Sequence, residues 1–311
     1  MELKHVVGAQ RISPAVLKRL FHTADEMRAL VLREGGSDTL KRRVMATLFY
    51  EPSTRTRLSF EAAMRRLGGK VITTEAAAEF SSAVKGERLK DTIQVVGGYA
   101  DVIVLRHKKQ GSAAKAASVS SVPIINAGDG AGQHPTQMML DLYTIQKEIG
   151  RLENLAIAMV GDLRNGRTVR SLCYILTKFQ SPRLYLVSPR SLRMRKDIRA
   201  YLRRHGVPFE ECDDLREVAG RVDVVYLTRV QAERMKGKCV RMNGRFQMDP
   251  SVLERLQQHA IIMHPLPRVD EIRQRRLVDI DPRAAYFRQA HNGLYVRMAL
   301  LKMILAPDAP L

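Results

Sequence analysis

The segment Ser53-Thr54-Arg55-Thr56-Arg57 combines hydroxyl and guanidinium groups at a point where the chain turns. The apolar run at 44–50 has the length of a strand, and Pro52 cannot continue it. Beyond this segment the apolar residues recur at helical spacing as far as Gly68-Gly69, so the segment opens a helix. The first N–H groups of a helix attract anions, and arginine adds a fork of donors. The segment therefore predicts a phosphate site; the alternative is a helix cap followed by solvated arginines.

Arginine, histidine or glutamine follows each of six predicted strands. The strands and the residues after them are 44–50 with Ser53, Thr54, Arg55 and Thr56; 102–105 with Arg106 and His107; 122–125 with the loop to His134 and Gln137; 155–160 with the loop to Arg167; 222–227 with Arg229 and Gln231; and 260–263 with His264-Pro265-Leu266-Pro267-Arg268. Taken singly, each residue has a structural explanation, such as a solvated turn for Arg106 or a helix start for His134. Ligands of parallel sheets bind beyond the carboxyl ends of the strands. The repetition at one end of the strands therefore predicts a shared anion-binding cleft.

Several other kinds of site are not indicated. The loop from Gly161 to Gly166 does not satisfy the G-x-G-x-x-G pattern of dinucleotide-binding proteins, and we predict no cofactor. Histidine, cysteine and carboxylate residues do not cluster at metal-ligand spacing, so we predict no metal site. Cys173, Cys212 and Cys239 lie far apart and form no C-x-x-C motif, which indicates a reducing compartment. No nucleophile stands beside a base, which argues against covalent catalysis.

The chain is strongly basic, with 52 Lys+Arg against 32 Asp+Glu and a net charge of +20. Such an excess is typical of nucleic-acid-binding proteins. However, only 5% of the residues are aromatic and none is Trp, so platforms for base stacking are scarce. Many of the basic residues recur at helical spacing between Arg190 and Arg204. We therefore predict a solvated basic face, with nonspecific polyanion binding as its consequence.

Apolar strand segments alternate with helical segments along the whole chain of 311 residues. This alternation predicts an α/β fold with two doubly wound parallel-sheet domains, because single cores stop growing near ~250–300 residues. Two helices are predicted to join the domains, one from Pro135 to Gly150 and one at the end of the chain. The predicted domains are 1–134 plus 290–311 and 150–284. The segment from Ala76 to Gly86 has no periodicity and is predicted to be a loop.

The sequence also predicts where the protein resides. No apolar run approaches the ~18 residues of a membrane span, so we expect no membrane contact. The first residues have neither the apolar core of a signal peptide nor a transit-peptide composition. We therefore expect a cytoplasmic protein, or an organellar one from which a presequence has been removed.

Six motifs resemble those of the aspartate carbamoyltransferases, within the aspartate/ornithine carbamoyltransferase superfamily. They lie at 52–57, 81–87, 126–137, 160–168, 227–231 and 264–272. The ornithine enzymes share the phosphate motif but carry a Cys-bearing loop where this chain has His264-Pro265-Leu266-Pro267. They also carry an acidic Asp-x-x-x-Ser-Met-Gly segment that this chain lacks. The resemblance therefore favours aspartate as the second substrate.

The resemblance implies that the aspartate amine attacks carbamoyl phosphate, which yields N-carbamoyl-L-aspartate and phosphate for pyrimidine biosynthesis. It assigns the carbamoyl phosphate site to the first predicted domain, 1–134 plus 290–311, and the aspartate site to the second. By this resemblance, Ser53, Thr54, Arg55 and Thr56 hold the phosphate, Arg106, His134 and Thr56 polarise the carbonyl oxygen, and Gln137 binds the carbamoyl amide. The implied catalytic residues are Arg55, Thr56, Arg106 and His134.

The same resemblance assigns aspartate binding to Arg167, Arg229 and Gln231, with Pro265 and Leu266 contributing backbone carbonyls. Two arginines and an amide suit a substrate with two carboxylates and would repel the ammonium of ornithine. Ser81 and Lys85 match residues that reach into the site of a neighbouring subunit, which implies a homotrimer with shared active sites. Lys85 would contact both substrates.

Two other functions remain open at this stage. One is a related carbamoyltransferase that uses another amino acid. The other is a basic scaffold or nucleic-acid binder that has lost catalysis. Nothing in the sequence indicates a regulatory subunit, a fused enzyme or a feedback ligand.

Overall fold

The computed structural model describes residues 4–75, 86–231 and 244–309. The chain divides into two compact units: unit 1, Met1–Leu140 with His291–Leu311, and unit 2, Asp141–Ala290. Each unit contains one parallel sheet with helices between its strands. The chain enters unit 2 within one helix, Pro135–Ile149, and leaves it within another, Tyr286–Leu305. The predicted fold class, two parallel-sheet α/β domains joined by two helices, is confirmed.

Unit 1 has a four-stranded parallel sheet in the order β2-β1-β3-β4. Its strands are β1 Val44–Phe49, β2 Lys70–Glu75, β3 Val102–His107 and β4 Ile124–Asp129. Its described helices are α1 Pro14–Glu34, α2 Thr54–Arg66, α3 Leu89–Gly97, α4 Ser112–Ala117 and α5 Pro135–Ile149, the last of which continues into unit 2. Strand β1 pairs with β2 on one side and β3 on the other, so the strand order reverses between β1 and β3. That reversal is a switch point, where parallel sheets bind ligands.

Unit 2 has a five-stranded parallel sheet in the order β7-β6-β5-β8-β9. Its strands are β5 Ala156–Gly161, β6 Arg183–Val187, β7 Phe209–Cys212, β8 Val224–Thr228 and β9 Ile261–Met263. Its described helices are α6 Arg167–Leu176, α7 Lys196–Arg204, α8 Pro250–Leu253, α9 Arg275–Ile280 and α10 Tyr286–Leu305, the last of which continues into unit 1. Here the strand order reverses between β5 and β8, which places the switch point of unit 2 between these strands.

The central strands are buried along almost their whole length. Strands β1, β3, β5 and β8 consist largely of apolar residues without polar alternation. Helices cover both faces of a parallel sheet, so such strands need apolar side chains on both sides. The apolar runs that predicted these four strands are therefore explained by their central positions.

Three strand assignments from the sequence are wrong in detail. Arg106 and His107 lie inside β3 rather than after it, and the predicted loop at 126–133 begins with four residues of β4. Strand β4 continues because His107 pairs with Asp129, and this tertiary pairing overrides the low strand propensity of the Asn-Ala-Gly-Asp sequence. Strand β7 was not predicted, since Phe209-Glu210-Glu211-Cys212 has two adjacent charges and lies at the edge of the sheet.

The basic face around α7 is only partly solvated. Arg195, Lys196, Arg203 and Arg204 are exposed, as predicted. Two arginines are instead ion-paired with acidic residues of β7 and the turn after it. The pairs are Arg199 Nη1 with Glu211 Oε2 at 2.8 Å and Arg193 Nη2 with Asp213 Oδ1 at 3.0 Å. Part of the positive charge of this face is therefore neutralised within unit 2.

Within residues 4–75, 86–231 and 244–309, no helix combines the length and apolar character that crossing a bilayer requires.

Candidate functional site

Arg106 lies at the carboxyl edge of the unit 1 sheet, next to the switch point. The pairing of β1 with β3 sets it opposite Phe49, and the Tyr50 N–H donates to its carbonyl at 2.9 Å. Its guanidinium is buried and donates from Nη2 to Glu51 Oε1 at 2.8 Å and from Nη1 to the Ala127 carbonyl at 3.3 Å. These contacts hold the guanidinium between the segment after β1 and strand β4.

Helix α2 begins at the same edge, directly after β1. Ser53 is its N-cap, and within the described residues its side chain makes no capping hydrogen bond. The first N–H groups of a helix have no intrahelical partners, so this terminus can accept an anion. Thr56 is buried in the first turn, whereas the Arg55 side chain is exposed. Arg57 turns to the helix flank instead, with Nη1 3.8 Å from Glu61 Oε1.

His134 is buried immediately before α5. Its Nδ1 accepts a long hydrogen bond of 3.4 Å from the backbone N–H of Gln137. A ring nitrogen that accepts a hydrogen bond carries no proton, so this contact assigns the ring proton to Nε2. Gln137 lies in the first turn of α5 and is also buried. His134 thus presents an Nε2–H donor at the carboxyl end of β4.

The turn that leads to His134 is closed by the last residue of β4. Asp129 accepts from the Gln133 N–H at 2.8 Å through Oδ1 and from the Gly111 N–H at 2.7 Å through Oδ2. This carboxylate ties the turn after β4 to the start of α4. The hydrogen bonds that the Asp129 carboxylate accepts from backbone N–H groups therefore fix the turn that positions His134.

In unit 2, Asp162 joins the two loops at the switch point between β5 and β8. It is fully buried; its Oδ1 accepts from the Asn165 N–H at 3.0 Å and its Oδ2 from the Gln231 N–H at 3.1 Å. Asn165 belongs to the loop that leads to Arg167, and Gln231 follows β8 together with Arg229. One carboxylate therefore holds together the two loops that carry these predicted residues.

The side chain of Gln231 also lies close to the start of α6. Arg167 is buried at the first position of α6, after the N-cap Gly166. A Cβ atom added to Gly166 would lie 3.7 Å from Gln231 Nε2, so the Gln231 side chain lies beside this helix start. Arg229 is half-buried, and its Nη1 donates to the Val230 carbonyl at 3.1 Å. The Gln231 side chain therefore lies beside Gly166, the residue that precedes Arg167 at the N-terminus of α6.

The segment after β9 is held by a buried histidine and a buried glutamate. His264 Nδ1 accepts from the Leu266 N–H at 2.7 Å, and its Nε2 lies 2.7 Å from Glu271 Oε1. The same glutamate oxygen accepts from the Val269 N–H at 2.8 Å. Burial acts to raise the pKa of Glu271, but the hydrogen bonds from His264 and the backbone outweigh it and lower the pKa. Pro265 and Leu266 are half-buried on this braced segment, and the Leu266–Pro267 bond is cis.

Two family models together match most of the chain. The model described as "Aspartate/ornithine carbamoyltransferase, carbamoyl-P binding domain" matches residues 4–147. The model described as "Aspartate/ornithine carbamoyltransferase, Asp/Orn binding domain" matches residues 153–304. The chain belongs to the aspartate/ornithine carbamoyltransferase family. The predicted resemblance to this family is confirmed.

Relatives within this carbamoyltransferase family cover the chain almost completely. "Aspartate carbamoyltransferase 1, chloroplastic" of Pisum sativum is 54% identical over 98% of this chain and 79% of its own length. "Aspartate carbamoyltransferase catalytic subunit" of Methanothrix thermoacetophila is 50% identical over 98% of this chain and 99% of its own length. The crystal structure of aspartate transcarbamoylase from Trypanosoma cruzi with carbamoyl phosphate and aspartate is 39% identical, covers 98% of this chain and 96% of that chain, and has a TM-score of 0.89.

Two of the predicted site residues, Ser81 and Lys85, lie outside the described residues. The other predicted residues fall into two groups. In unit 1, the start of α2 and Arg106 lie together at the switch point, and His134 and Gln137 follow the neighbouring strand β4. In unit 2, Arg167, Arg229 and Gln231 lie on the loops at the switch point, with Pro265 and Leu266 after the neighbouring strand β9.

The residues that hold these groups in place were not singled out from the sequence. Glu51 pairs with Arg106, Asp162 joins two loops, and Glu271 braces the segment after His264. Asp162 and Glu271 fall inside the motifs at 160–168 and 264–272, and Glu51 directly precedes the motif at 52–57. A buried carboxylate, however, cannot be told from a surface one in a single sequence. Among the described residues, no group of three or more His, Cys, Asp or Glu could hold a metal ion.

Proposed function

We propose that this carbamoyltransferase transfers the carbamoyl group of carbamoyl phosphate to the amine of L-aspartate. The products are N-carbamoyl-L-aspartate and phosphate, which serve pyrimidine biosynthesis. The observation that carries the proposal is that both sheets have arginines at their switch points. Arg106 and the start of α2 occupy this place in unit 1, and Arg167 and Arg229 occupy it in unit 2. The names of the relatives, which are aspartate carbamoyltransferases, support the same substrates.

In this proposal, unit 1 binds carbamoyl phosphate. The N–H groups at the start of α2, with the side chains of Ser53, Thr54, Arg55 and Thr56, bind the phosphate. The uncapped terminus of α2 supports this role, because its N–H groups are not satisfied by the Ser53 side chain. Ser81 and Lys85, assigned to this substrate by family resemblance, complete the proposed set.

The carbonyl oxygen of carbamoyl phosphate would accept hydrogen bonds from Arg106, His134 and Thr56. His134 is suited to donate rather than to act as a base, since its proton resides on Nε2. A donor aimed at a developing oxyanion contributes about 3–4 kcal/mol to catalysis. The neighbouring carboxylate of Glu51 holds the Arg106 guanidinium in one orientation. Gln137 would bind the carbamoyl amide.

Unit 2 would bind aspartate through Arg167, Arg229 and Gln231. The two guanidinium groups match two carboxylates, and an amino acid with a cationic side chain would be repelled. Pro265 and Leu266 would offer backbone carbonyls from the braced segment after β9, and Lys85 is assigned to this substrate as well.

The proposed reaction needs no covalent intermediate with the enzyme. The aspartate nitrogen forms a bond to the carbonyl carbon, which becomes tetrahedral, and the bond from this carbon to the phosphate oxygen then breaks. The electron pair of that bond leaves with the phosphate, and the phosphate can take the proton from the amine. Most of the rate enhancement would come from positioning and from charge stabilisation.

The choice of amino acid tests the proposal directly. Purified protein is incubated with carbamoyl phosphate and one of L-aspartate, L-ornithine or N-acetyl-L-ornithine, and the products are identified by mass. We expect carbamoylated product only with aspartate. Carbamoylation of another amino acid would replace aspartate with that substrate. Absence of turnover, together with salt-sensitive binding of a polyanion, would favour a basic binding protein instead.

We also propose a homotrimer with shared active sites, on the basis of the family resemblance. The mass of the assembly in solution tests the trimer, and mixed assemblies test the sharing. Lys85→Ala and His134→Ala variants should each be inactive, and mixed trimers should regain activity at sites that receive both native residues. If each chain has a complete site of its own, mixing will restore nothing.

The sequence-based expectation of a cytoplasmic protein stays a prediction. Chloroplastic relatives favour the second option, an organelle entered with a presequence. Fractionation of cells that express the tagged full-length gene product would decide between the two compartments.

A further inference from the structure

Asp141 is a fully buried carboxylate in α5 whose two oxygens are each engaged by a different element of unit 2. Oδ2 accepts from the Tyr226 hydroxyl at 2.7 Å, and Oδ1 accepts from Gln289 Nε2 at 2.6 Å. Tyr226 lies in β8 and Gln289 in α10, and both are buried. Burying a carboxylate is costly unless it is fully hydrogen-bonded, so an apolar residue would serve packing alone at lower cost.

The Gln289 amide connects this carboxylate to the segment after β9. Its Oε1 accepts from the His264 N–H at 2.8 Å, while its Nε2 donates to Asp141. An amide can be turned by half a rotation, which would exchange its donor and its acceptor. Asp141 can only accept at this contact, so it selects the orientation in which Gln289 binds the backbone of His264. The braced segment with Pro265 and Leu266 is thereby attached to α5.

Tyr226 connects the same carboxylate to the other two loops. Burial raises the pKa of Tyr226 well above its ordinary value, and the neighbouring Asp141 acts in the same direction, so the hydroxyl keeps its proton and donates. A hydrogen bond with the Thr168 side chain acts in the opposite direction, as expected if Thr168 donates to the Tyr226 oxygen. Thr168 directly follows Arg167 in α6, and Tyr226 lies in β8, three residues before Arg229.

We propose that Asp141 is a positioning residue for aspartate binding. Through Tyr226, which is hydrogen-bonded to Thr168 of α6, and through Gln289, its carboxylate reaches all three segments that carry the proposed aspartate contacts: the start of α6, the end of β8 and the segment after β9. It orients these contacts without touching the substrate. This inference rests on the proposed function, because the substrate that it concerns is aspartate.

An Asp141→Asn substitution keeps the shape of the side chain and changes one acceptor into a donor. With the amide N–H groups toward Gln289, a donor faces the Nε2 donor of Gln289; with them toward Tyr226, the Tyr226 hydroxyl has to turn and accept, so it loses the acceptor that Asp141 gave it. We expect the KM for aspartate to rise roughly tenfold, the effect of one unsatisfied buried group. The KM for carbamoyl phosphate should stay within about twofold of the original value, since the network lies in unit 2. Steady-state kinetics with each substrate varied in turn measures both values.

A double substitution separates positioning from loss of stability. In Asp141→Asn with Gln289→Glu, the new amide donates to the new carboxylate and accepts from Tyr226. The second oxygen of the carboxylate introduced at position 289 is available to the His264 N–H, so every contact of the network is restored. We expect the double variant to recover most of the aspartate affinity that either single variant loses. Tyr226→Phe, which removes one donor and keeps the ring, should give a smaller rise in the same KM.

The matched control is Glu148→Gln, which removes the same charge from the same helix. Glu148 pairs with Arg288 of α10 at 2.8 Å, one residue before Gln289, but at a more exposed position. It should leave the KM for both substrates unchanged.

Either of two results would overturn the proposal for Asp141 while leaving the proposed function intact. One is native turnover with an unchanged aspartate KM in Asp141→Asn, and the other is a thermal stability that falls in the single variant and recovers in the double variant while the KM does not follow. Absence of turnover with aspartate in the native protein would instead overturn the proposed function, and this inference with it.

Discussion

The two candidate sites occupy equivalent places in their sheets, yet they are held in different ways. In unit 1, the proposed phosphate contacts lie on one short segment at the start of α2, beside Arg106. In unit 2, the proposed aspartate contacts lie on three separate segments, and buried carboxylates join them. A phosphate can be bound by consecutive backbone N–H groups, because one helix terminus presents several of them together. A dicarboxylate needs donor groups around two separate carboxylates, and consecutive residues of one segment cannot surround both.

This difference can be tested first in unit 1, where the largest effect is expected. Arg106→Ala removes a buried donor and leaves Glu51 without this partner. We expect kcat/KM to fall by about 10²–10³-fold or more, as for loss of an oxyanion donor. The control is Arg43→Ala, which removes an exposed arginine paired with Asp101 at the opposite end of the same sheet. A similar loss of activity in both variants would contradict the role of Arg106.

In unit 2, the next largest effect is expected from a substitution at Gly161, where β5 approaches β8 closely. Gly161 has a φ of +109°, and a Cβ atom there would overlap the Thr228 carbonyl oxygen. We expect Gly161→Ala to lower the free energy of unfolding by about 2–4 kcal/mol through strain and a clash. Gly150→Ala is the matched control, since its φ is +83° but a Cβ atom would meet nothing within 4 Å. Urea denaturation of both variants would show whether the clash, rather than the backbone angle, matters.

Substitution of Asp162, which joins the two loops at the switch point of unit 2, should affect one substrate more than the other. Asp162→Asn keeps the size of the side chain but replaces an acceptor that binds the Asn165 and Gln231 N–H groups. We expect the KM for aspartate to rise roughly tenfold, with little change in the KM for carbamoyl phosphate. Initial rates with one substrate held at saturation measure each value. Equal changes for both substrates would mean that the two sites are not held separately.

The smallest effect concerns the pH dependence of stability in unit 2. The pKa of Glu271 is lowered from its ordinary value of 4.5, because the hydrogen bonds from His264 and the backbone outweigh its burial. A group with a lowered pKa in the folded state contributes stability above its unfolded pKa and loses it as the pH falls through the folded pKa. Glu271→Gln should therefore be less stable than the native protein at neutral pH, by about 1–3 kcal/mol.

This deficit should shrink below the unfolded pKa of Glu271, about pH 4.5. Urea denaturation at a series of pH values measures it. Glu254→Gln, at an exposed position on the same unit, should show no such pH-dependent difference. A deficit that is the same at every pH would mean that the charge of Glu271 is not involved.

The strands and the phosphate segment could be predicted because their signals are local. Ser53 to Thr56 are consecutive, and the apolar runs of β1 and β5 reflect burial on both faces. Asn126 to Asp129 were taken for a loop because their strand pairing depends on β3, which is distant in the sequence. Strand β7 was missed for a similar reason: its only strand partner among the described residues is β6, and its charged residues suit an edge.

The sequence by itself determined the alternation of strands and helices, the family and the residue types of the proposed substrate contacts. It did so because strand and helix periods and the consecutive anion-binding segment are written in neighbouring residues. Only the tertiary structure decided which carboxylates are structural. Asp141 and Asp162 look like any other aspartates in the chain, and their roles arise because folding buries them between segments up to 148 residues apart.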